Sequence, residues 1–309
     1  MNIIVIGAGG VGGFFGGKLA QAGFNVTFIV RGKHLEAIAK NGLKVKSIQG
    51  DFTVHPKVTD QIQDVSETPD LIILGVKSWQ VTEVAEQIKP LLHKNLAILP
   101  LQNGADNADK LQRVLGKENV LCGLCQIISK VEGPGVINHF GFEPKIVFGE
   151  LNNRKTERVL KIQSAFEKAG INSKISDDIL TDVWRKFMFI TTISALGGLT
   201  RSPIGAIREA PYLRQIMLDT ANEVLKIAKA KHIALTKDDI EKAFKNIDSL
   251  DYHSTASLQR DIMDGKPSEL DNFNGYIVRQ GKELGIETPV NALIYHCLMP
   301  MEKKARKLL

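Results

Sequence analysis

A short apolar run, NIIVI at residues 2–6, passes directly into Gly7-Ala8-Gly9-Gly10-Val11-Gly12, then into a segment of helical spacing that ends near Gly23. The pattern G-x-G-x-x-G says little alone. Between a strand and a helix it is specific for a turn that cradles the pyrophosphate of a dinucleotide. The first glycine allows the tight turn, the second lets the phosphates approach the backbone, and the third lets helix and strand pack closely. Helix N–H groups then hold the negative charge. Gly7, Ala8, Gly9, Gly10, Val11 and Gly12 are therefore candidate cofactor-binding residues, and Gly13, Gly16 and Gly17 extend the small-residue face. The alternative is a glycine-rich turn without a ligand.

The first half of the chain alternates between strand and helix patterns. NVTFIV (25–30), LIILGV (71–76) and LAILPL (96–101) read as strands. The unbroken apolar run of LIILGV suits a strand buried on both faces. Helices are expected over 80–92 and 154–169, and LKVKSI with DFTVHPKV reads as a hairpin around Gln49-Gly50. Shorter pieces near 119–129, 135–140 and 145–149 are expected to extend the main sheet, and INSKIS (171–176) to close the domain. Such alternation predicts an α/β fold with a doubly wound, mostly parallel sheet. After residue 176 only helical spacing remains. The expected organisation is a Rossmann-like nucleotide-binding domain over 1–175 and an all-helical domain over 176–309.

Enzymes that use NAD usually place an acid at the end of the second strand, about 20 residues past the glycines, to bind the ribose 2′-hydroxyl. Arg31 stands there instead, directly after NVTFIV. A guanidinium can grip a 2′-phosphate bidentately where an acid would repel it, so the expected cofactor is NADP(H). Lys77 ends LIILGV, also at a carboxyl edge where ligands sit. Both residues have an ordinary reading as surface cations. Asn103, in Leu101-Gln102-Asn103-Gly104, follows LAILPL and is a candidate for the nicotinamide side of the site. It reads equally well as a left-handed or helix-capping asparagine in a turn.

The charge balance is mild, with 40 basic and 34 acidic residues and a net charge of +6. The densest basic run, Lys303, Lys304, Arg306 and Lys307, closes the last helix, where cations complement the dipole, so no nucleic acid partner is expected. No run approaches the ~18 apolar residues of a membrane span, and no secretory leader is apparent. The reading is a cytoplasmic protein whose oligomeric state, a homodimer included, the sequence leaves open. Cys122 and Cys125 have C-x-x-C spacing, but without a second pair or a histidine cluster. In a strand, residues three apart face opposite ways, so they read as buried small hydrophobes, and no metal is expected.

Taken in order, GAGGVGGFFGGKLAQAGFNVTFIVRG, GVKSWQ, LQNG, VWRKF and SLQRDIMDGKPSELDNFNG make the chain resemble the ketopantoate reductase (2-dehydropantoate 2-reductase) family along essentially its whole length. The resemblance implies a helical domain like the C-terminal domain of 6-phosphogluconate dehydrogenase. It also implies NADPH-dependent reduction of ketopantoate to (R)-pantoate, in pantothenate and coenzyme A synthesis, with a small 2-oxo acid as substrate. It further implies that Lys186 is catalytic, that Asn103 touches substrate and nicotinamide, and that Ser257 binds substrate. Glu269, in Pro267-Ser268-Glu269-Leu270, would be an active-site glutamate contacting cofactor and substrate. One departure stands out. The family pattern K-x-x-x-N-x-x-x-N here reads Lys186, Ile190 and Ser194, three positions on one helix face. Ser194 keeps a polar substrate-binding candidate, whereas Ile190 removes one, which a different 2-oxo acid or ketone would explain. His253, one turn before Ser257 if that stretch is helical, is a candidate replacement. A non-catalytic NADP(H)-binding sensor is the remaining alternative. Against these roles stand plain ones: Lys186 as a snorkelling side chain, Glu269 as a first-turn acid behind a Ser268 cap, and Ser257 as a surface serine.

Overall fold

Ile3, Ile4, Val5 and Ile6 are all buried, so β1 (Asn2–Ile6) is apolar on both faces, as the middle strand of a parallel sheet must be. The computed structural model describes residues 1–309, in two compact units, Met1–Ile179 and Leu180–Leu309. In the first unit β1 pairs in parallel with β2 (Asn25–Ile29) on one side and with β6 (Leu71–Leu74) on the other. Counting β5 (Lys57–Thr59) and β7 (Ala97–Pro100), the strand order is β5-β2-β1-β6-β7, all parallel. The order reverses at β1, so the carboxyl ends of β1, β2 and β6 border a topological switch point.

The chain crosses between these strands through α1 (Gly10–Gln21), α2 (Gly32–Asn41) and α3 (Val81–Ile88). At the end of α1, Gly23 donates to the Ala20 carbonyl (3.0 Å) and Phe24 to the Leu19 carbonyl (3.2 Å). This is the paired bonding that a left-handed glycine permits, and Gly23 has φ +85°. Between β2 and β6 the chain forms β3 (Leu43–Ser47) and β4 (Phe52–Val54), the expected antiparallel hairpin. The run DFTVHPKV is nevertheless split. His55-Pro56 ends β4, and β5 leaves for the edge of the main sheet beside β2, because proline supplies no N–H to continue the ladder.

Five elements, one helix and four strands, depart from the sequence reading. Residues 107–115 form α4 (Asn107–Leu115), a helix not expected from the polar run NGADNADK. The strand-like pieces after residue 119 do not extend the main sheet, apart from a parallel bridge between Val120 and Ile98. Instead β8 (Cys122–Gln126) pairs with β11 (Lys145–Gly149), and β11 pairs with β12 (Asn172–Ile175). The hairpin of β9 (Ser129–Gly133) and β10 (Val136–His139) joins β3 and β4 in a separate sheet, ordered β4-β3-β10-β9. That sheet covers α1. A Cβ on Gly16 would meet Phe28 and Val5 of the main sheet at 2.7–2.8 Å, whereas one on Gly13 would meet Ile137 of β10 at 2.7 Å. The helix is clamped on two sides, so its glycines serve packing as well as the phosphate turn. α5 (Glu157–Lys168) packs on β12. Cys122 and Cys125 are buried on β8, and burial pushes the Cys122 thiol up to about 12.

The second unit is helical: α6 (Ile179–Thr200, beginning at the boundary), α7 (Ile204–Glu209), α8 (Pro211–Ala230), α9 (Lys237–Ser249), α10 (Ser257–Met263), α11 (Asn274–Leu284) and α12 (Pro289–Ala305). Trp184 and Phe187 of α6 stack edge-on or tilted against Phe273 and Tyr276 at centroid distances of 5.8–6.2 Å. Glu223 of α8 is buried and accepts the N–H groups of Val290 (2.8 Å) and Asn291 (2.9 Å) at the start of α12. Arg185 of α6 bonds Asp239 of α9 at 2.8 Å, and Asp239 also accepts the Thr236 N–H at 2.9 Å.

Asp239 supplies a pH test of that tie. Burial alone would raise its pKa, but the Thr236 N–H and the Arg185 guanidinium outweigh it and hold the carboxyl below its ordinary 3.8. A depressed folded-state pKa gives stability that is present above the unfolded value and lost as pH falls through the folded one. Asp239→Asn should cost about 1–3 kcal/mol at neutral pH. The gap from the parent protein should close as pH drops below about 4. Thermal unfolding of both proteins across that range checks this; a gap independent of pH would show that the charge contributes nothing.

Candidate functional site

Gly7 ends β1 with φ +92° and donates to the Ile29 carbonyl at 2.9 Å. Its carbonyl lies where a Cβ on Gly12 would be, only 2.0 Å away, and a Cβ on Gly75 would reach the Gly12 Cα at 2.8 Å. Gly7, Gly12 and Gly75 thus allow the start of α1 to touch the ends of β1 and β6 through backbone alone. Gly9 differs, since a Cβ there would meet only the Gly75 carbonyl, at 3.9 Å. Packing does not require glycine at position 9, whereas close approach of a phosphate does. No side chain caps α1, and its first turn holds no acid, so the early N–H groups at Gly10, Val11 and Gly12 suit an anion.

Ala8 is buried beneath this turn. Arg31 caps α2 at the carboxyl end of β2 and is exposed. Its guanidinium lies 4.0 Å from the Glu83 carboxylate, with both side chains more than 60% exposed. Such a pair contributes about 0–1 kcal/mol, too little to keep Arg31 from an arriving phosphate. Lys77 follows β6, half-buried, its ammonium 5.7 Å from the centroid of the Trp79 ring.

Asn103 lies beyond β7 and is half-buried. Neither local explanation for it holds, since it is not among the positive-φ residues and α4 begins behind Asp106. Its carbonyl accepts the Ser78 hydroxyl at 2.5 Å and the Asn107 amide at 3.2 Å, which ties the loops after β6 and β7 together. The first unit therefore gathers Gly7–Gly12, Arg31, Lys77 and Asn103 at one edge of the parallel sheet. Sequence reasoning missed polar groups around it. The Gln102 amide is buried with neither its nitrogen nor its oxygen bonded, and the Ser129 hydroxyl, also unbonded, lies 2.7 Å from where a Gly10 Cβ would be. Buried polar atoms without partners are costly, and a polar ligand would satisfy them. These residues fit a dinucleotide.

In the second unit Lys186, Ile190 and Ser194 follow one another by single turns of α6. The first two are half-buried and Ser194 is buried. Ile190 is thus not part of the closed helical core. Glu269 is buried, but it precedes α11 rather than opening it, correcting the expected helix start. It lies in a single turn in which the Phe273 N–H bonds the Glu269 carbonyl at 3.0 Å and the Ser268 hydroxyl accepts from Leu270 at 3.3 Å. Phe273 packs on Phe187, the neighbour of Lys186, which sets the Glu269 turn beside the Lys186 turn of α6. Glu302 of α12 anchors that turn through the Ser268 N–H (3.1 Å) and hydroxyl (2.6 Å). Ser257, the first residue of α10, is exposed. Its helix packs on α6 at Gly197 and Gly198, well over two turns beyond Lys186. His253 does not sit one helical turn before Ser257. The chain there is not helical, and the exposed His253 packs on Tyr252.

Comparison with known proteins covers both units. The family model "Ketopantoate reductase PanE/ApbA" matches residues 3–153, and its C-terminal counterpart matches 178–302. An uncharacterised oxidoreductase of Bacillus subtilis is 32% identical over 98% of this chain and 99% of its own. The 2-dehydropantoate 2-reductase of Pyrococcus abyssi is 31% identical over 96% of each. The crystal structure of a PanE/ApbA family ketopantoate reductase from Ralstonia eutropha superposes with a TM-score of 0.91 at 30% identity, covering 99% of this chain and 100% of that one. A D-mandelate dehydrogenase in complex with NADH and anilino(oxo)acetate gives 0.89 at 25% identity, over 99% of both chains. With the glycine turn at the head of a parallel sheet and the lysine-bearing helix after it, the chain belongs to the ketopantoate reductase family of oxidoreductases.

Proposed function

We propose that this protein reduces the ketone of ketopantoate to (R)-pantoate with NADPH, a step of pantothenate and coenzyme A synthesis. The observation that carries the reading is the packing of Phe273, in the turn that bears Glu269, on Phe187, the residue after Lys186, on a chain whose other unit presents a dinucleotide cradle. NADPH, when bound, supplies the hydride. Gly7–Gly12 would hold the pyrophosphate, and Arg31 and Lys77 the 2′-phosphate. Asn103, Ser257 and Ser194 would orient the substrate. Charge develops on the ketone oxygen during reduction, and a protonated Lys186 would stabilise it and then donate the proton. Glu269 would hold the cofactor ribose and substrate in register. A second reading, reduction of a more apolar 2-oxo acid, is favoured by the half-exposed Ile190 and by the likeness to a dehydrogenase that binds anilino(oxo)acetate.

Lys186→Ala should lower the turnover number by about 10²–10⁴-fold, the usual worth of a general acid, and leave NADPH affinity nearly unchanged. Turnover and binding measured on one preparation decide this, and near-normal turnover would reduce Lys186 to a snorkelling side chain.

Arg31→Ala should weaken NADPH roughly tenfold to a hundredfold, as expected for a lost charge-assisted bond, and should leave NADH almost untouched. Equal losses for the two cofactors would count against a 2′-phosphate contact.

Ile190→Asn should raise turnover of ketopantoate relative to bulkier, apolar 2-oxo acids, because a polar contact discriminates hydroxyl-bearing substrates. Assaying parent and variant on a panel of 2-oxo acids by loss of NADPH absorbance also separates the two readings. If the parent already prefers apolar acids, ketopantoate is not its substrate.

A further inference from the structure

His34 of α2 has both ring nitrogens engaged, on two different parts of the first unit. The backbone N–H of Gly135, in the β9–β10 turn, donates to Nδ1 at 2.9 Å. Nε2 lies 2.9 Å from the Ala8 carbonyl. A backbone N–H can only donate and a carbonyl can only accept, so the ring is the neutral tautomer with its hydrogen on Nε2. Gly135 is itself fixed: its carbonyl accepts the Lys44 N–H of β3 at 2.9 Å, and a Cβ on it would press Ala37 at 3.1 Å. His34 therefore presents a rigid donor to the peptide between Ala8 and Gly9.

That peptide lies in the middle of the phosphate turn. No peptide bond in the chain is cis, and in a trans unit the carbonyl and the following N–H point opposite ways. Drawing the Ala8 carbonyl towards His34 therefore turns the Gly9 N–H away from it. Glycine at position 9 makes the inverted peptide cheap, because glycine adopts positive φ as readily as negative. Inverted, the unit would present a carbonyl oxygen to the ligand in place of a donor. We propose that His34 is a positioning residue that locks the Ala8–Gly9 peptide with its N–H towards the dinucleotide pyrophosphate, so that NADPH meets a preformed cradle. The proposal rests on the dinucleotide reading of the glycine turn.

Two substitutions separate the lock from simple fastening of the β9–β10 turn. In His34→Gln the side-chain nitrogen falls near the position of Nε2 and still reaches the Ala8 carbonyl. The shorter amide of His34→Asn falls near Nδ1, so it can still bond Gly135 but not Ala8. NADPH is titrated by its fluorescence into parent and variants, and unfolding temperatures are measured without cofactor. His34→Gln should bind within about twofold of the parent, and His34→Asn about tenfold more weakly, the loss of one net hydrogen bond. With a 2-oxo acid that the parent reduces, the Michaelis constant for NADPH should rise in His34→Asn, while the turnover number at saturating NADPH holds. Equal affinities in the two variants, or weaker binding by His34→Gln than by His34→Asn, would overturn the lock. Failure of the parent itself to bind NADPH or NADH would instead overturn the dinucleotide reading.

Discussion

The first unit depends on one close approach, where the start of α1 meets the ends of β1 and β6 with no side chain between them. Gly12 over the Gly7 carbonyl and Gly75 over the Gly12 Cα leave no room for a methyl group. Interiors are packed too densely for a clash of that depth to be absorbed by small shifts. The rest follows from this seat. α1 is pulled down so far that its outer side must also be covered by backbone-near contacts, and the β3-β4-β9-β10 sheet provides them through Ile137, Val45 and Phe52. A single stretch of glycines therefore sets two helix–sheet distances, and the ligand-facing turn is a by-product of the tighter one.

The helical unit is held by different means. Buried carboxylates bracket α12: Glu223 accepts N–H groups at its start, and Glu302, near its end, accepts from Ser268 and from Arg306. Removing either carboxylate would strand several buried donors at once, which costs more than the bonds contribute in place. The turn carrying Glu269 is thus located from one side by Glu302 and from the other by Phe273 on Phe187. A carboxylate on so short a turn would otherwise be free to wander, and these two contacts hold it in place.

Legibility in the sequence followed distance along the chain. The glycine turn, Arg31 and the Lys186–Ile190–Ser194 stripe are contiguous or helically spaced, so local pattern sufficed for their placement. The second sheet was not legible, because β10 pairs with β3 across some ninety residues and nothing local marks either as belonging there. α4 was missed because Asn and Asp, which favour turns, dominate its first turns, leaving Ala108, Leu111 and Leu115 as its only buried apolar residues. His34 was invisible for the same reason as the sheet, since its partners lie 26 and 101 residues away. The start of α11 was misplaced because Ser268 and Glu269 do form a capped turn, but one that stops before the helix begins.

Val120 interrupts what would otherwise be the exposed flank of β7. Ile98 donates to the Asn119 carbonyl at 2.8 Å and accepts from Leu121 at 2.9 Å, so the segment entering β8 occupies that flank. At the opposite margin β5 is only three residues long and follows a proline. A parallel sheet rich in valine and isoleucine is a ready template for strands of other molecules, and short or covered margins deny them a foothold. The bridge at Val120 thereby leaves no open ladder on that flank for a strand of another molecule to extend.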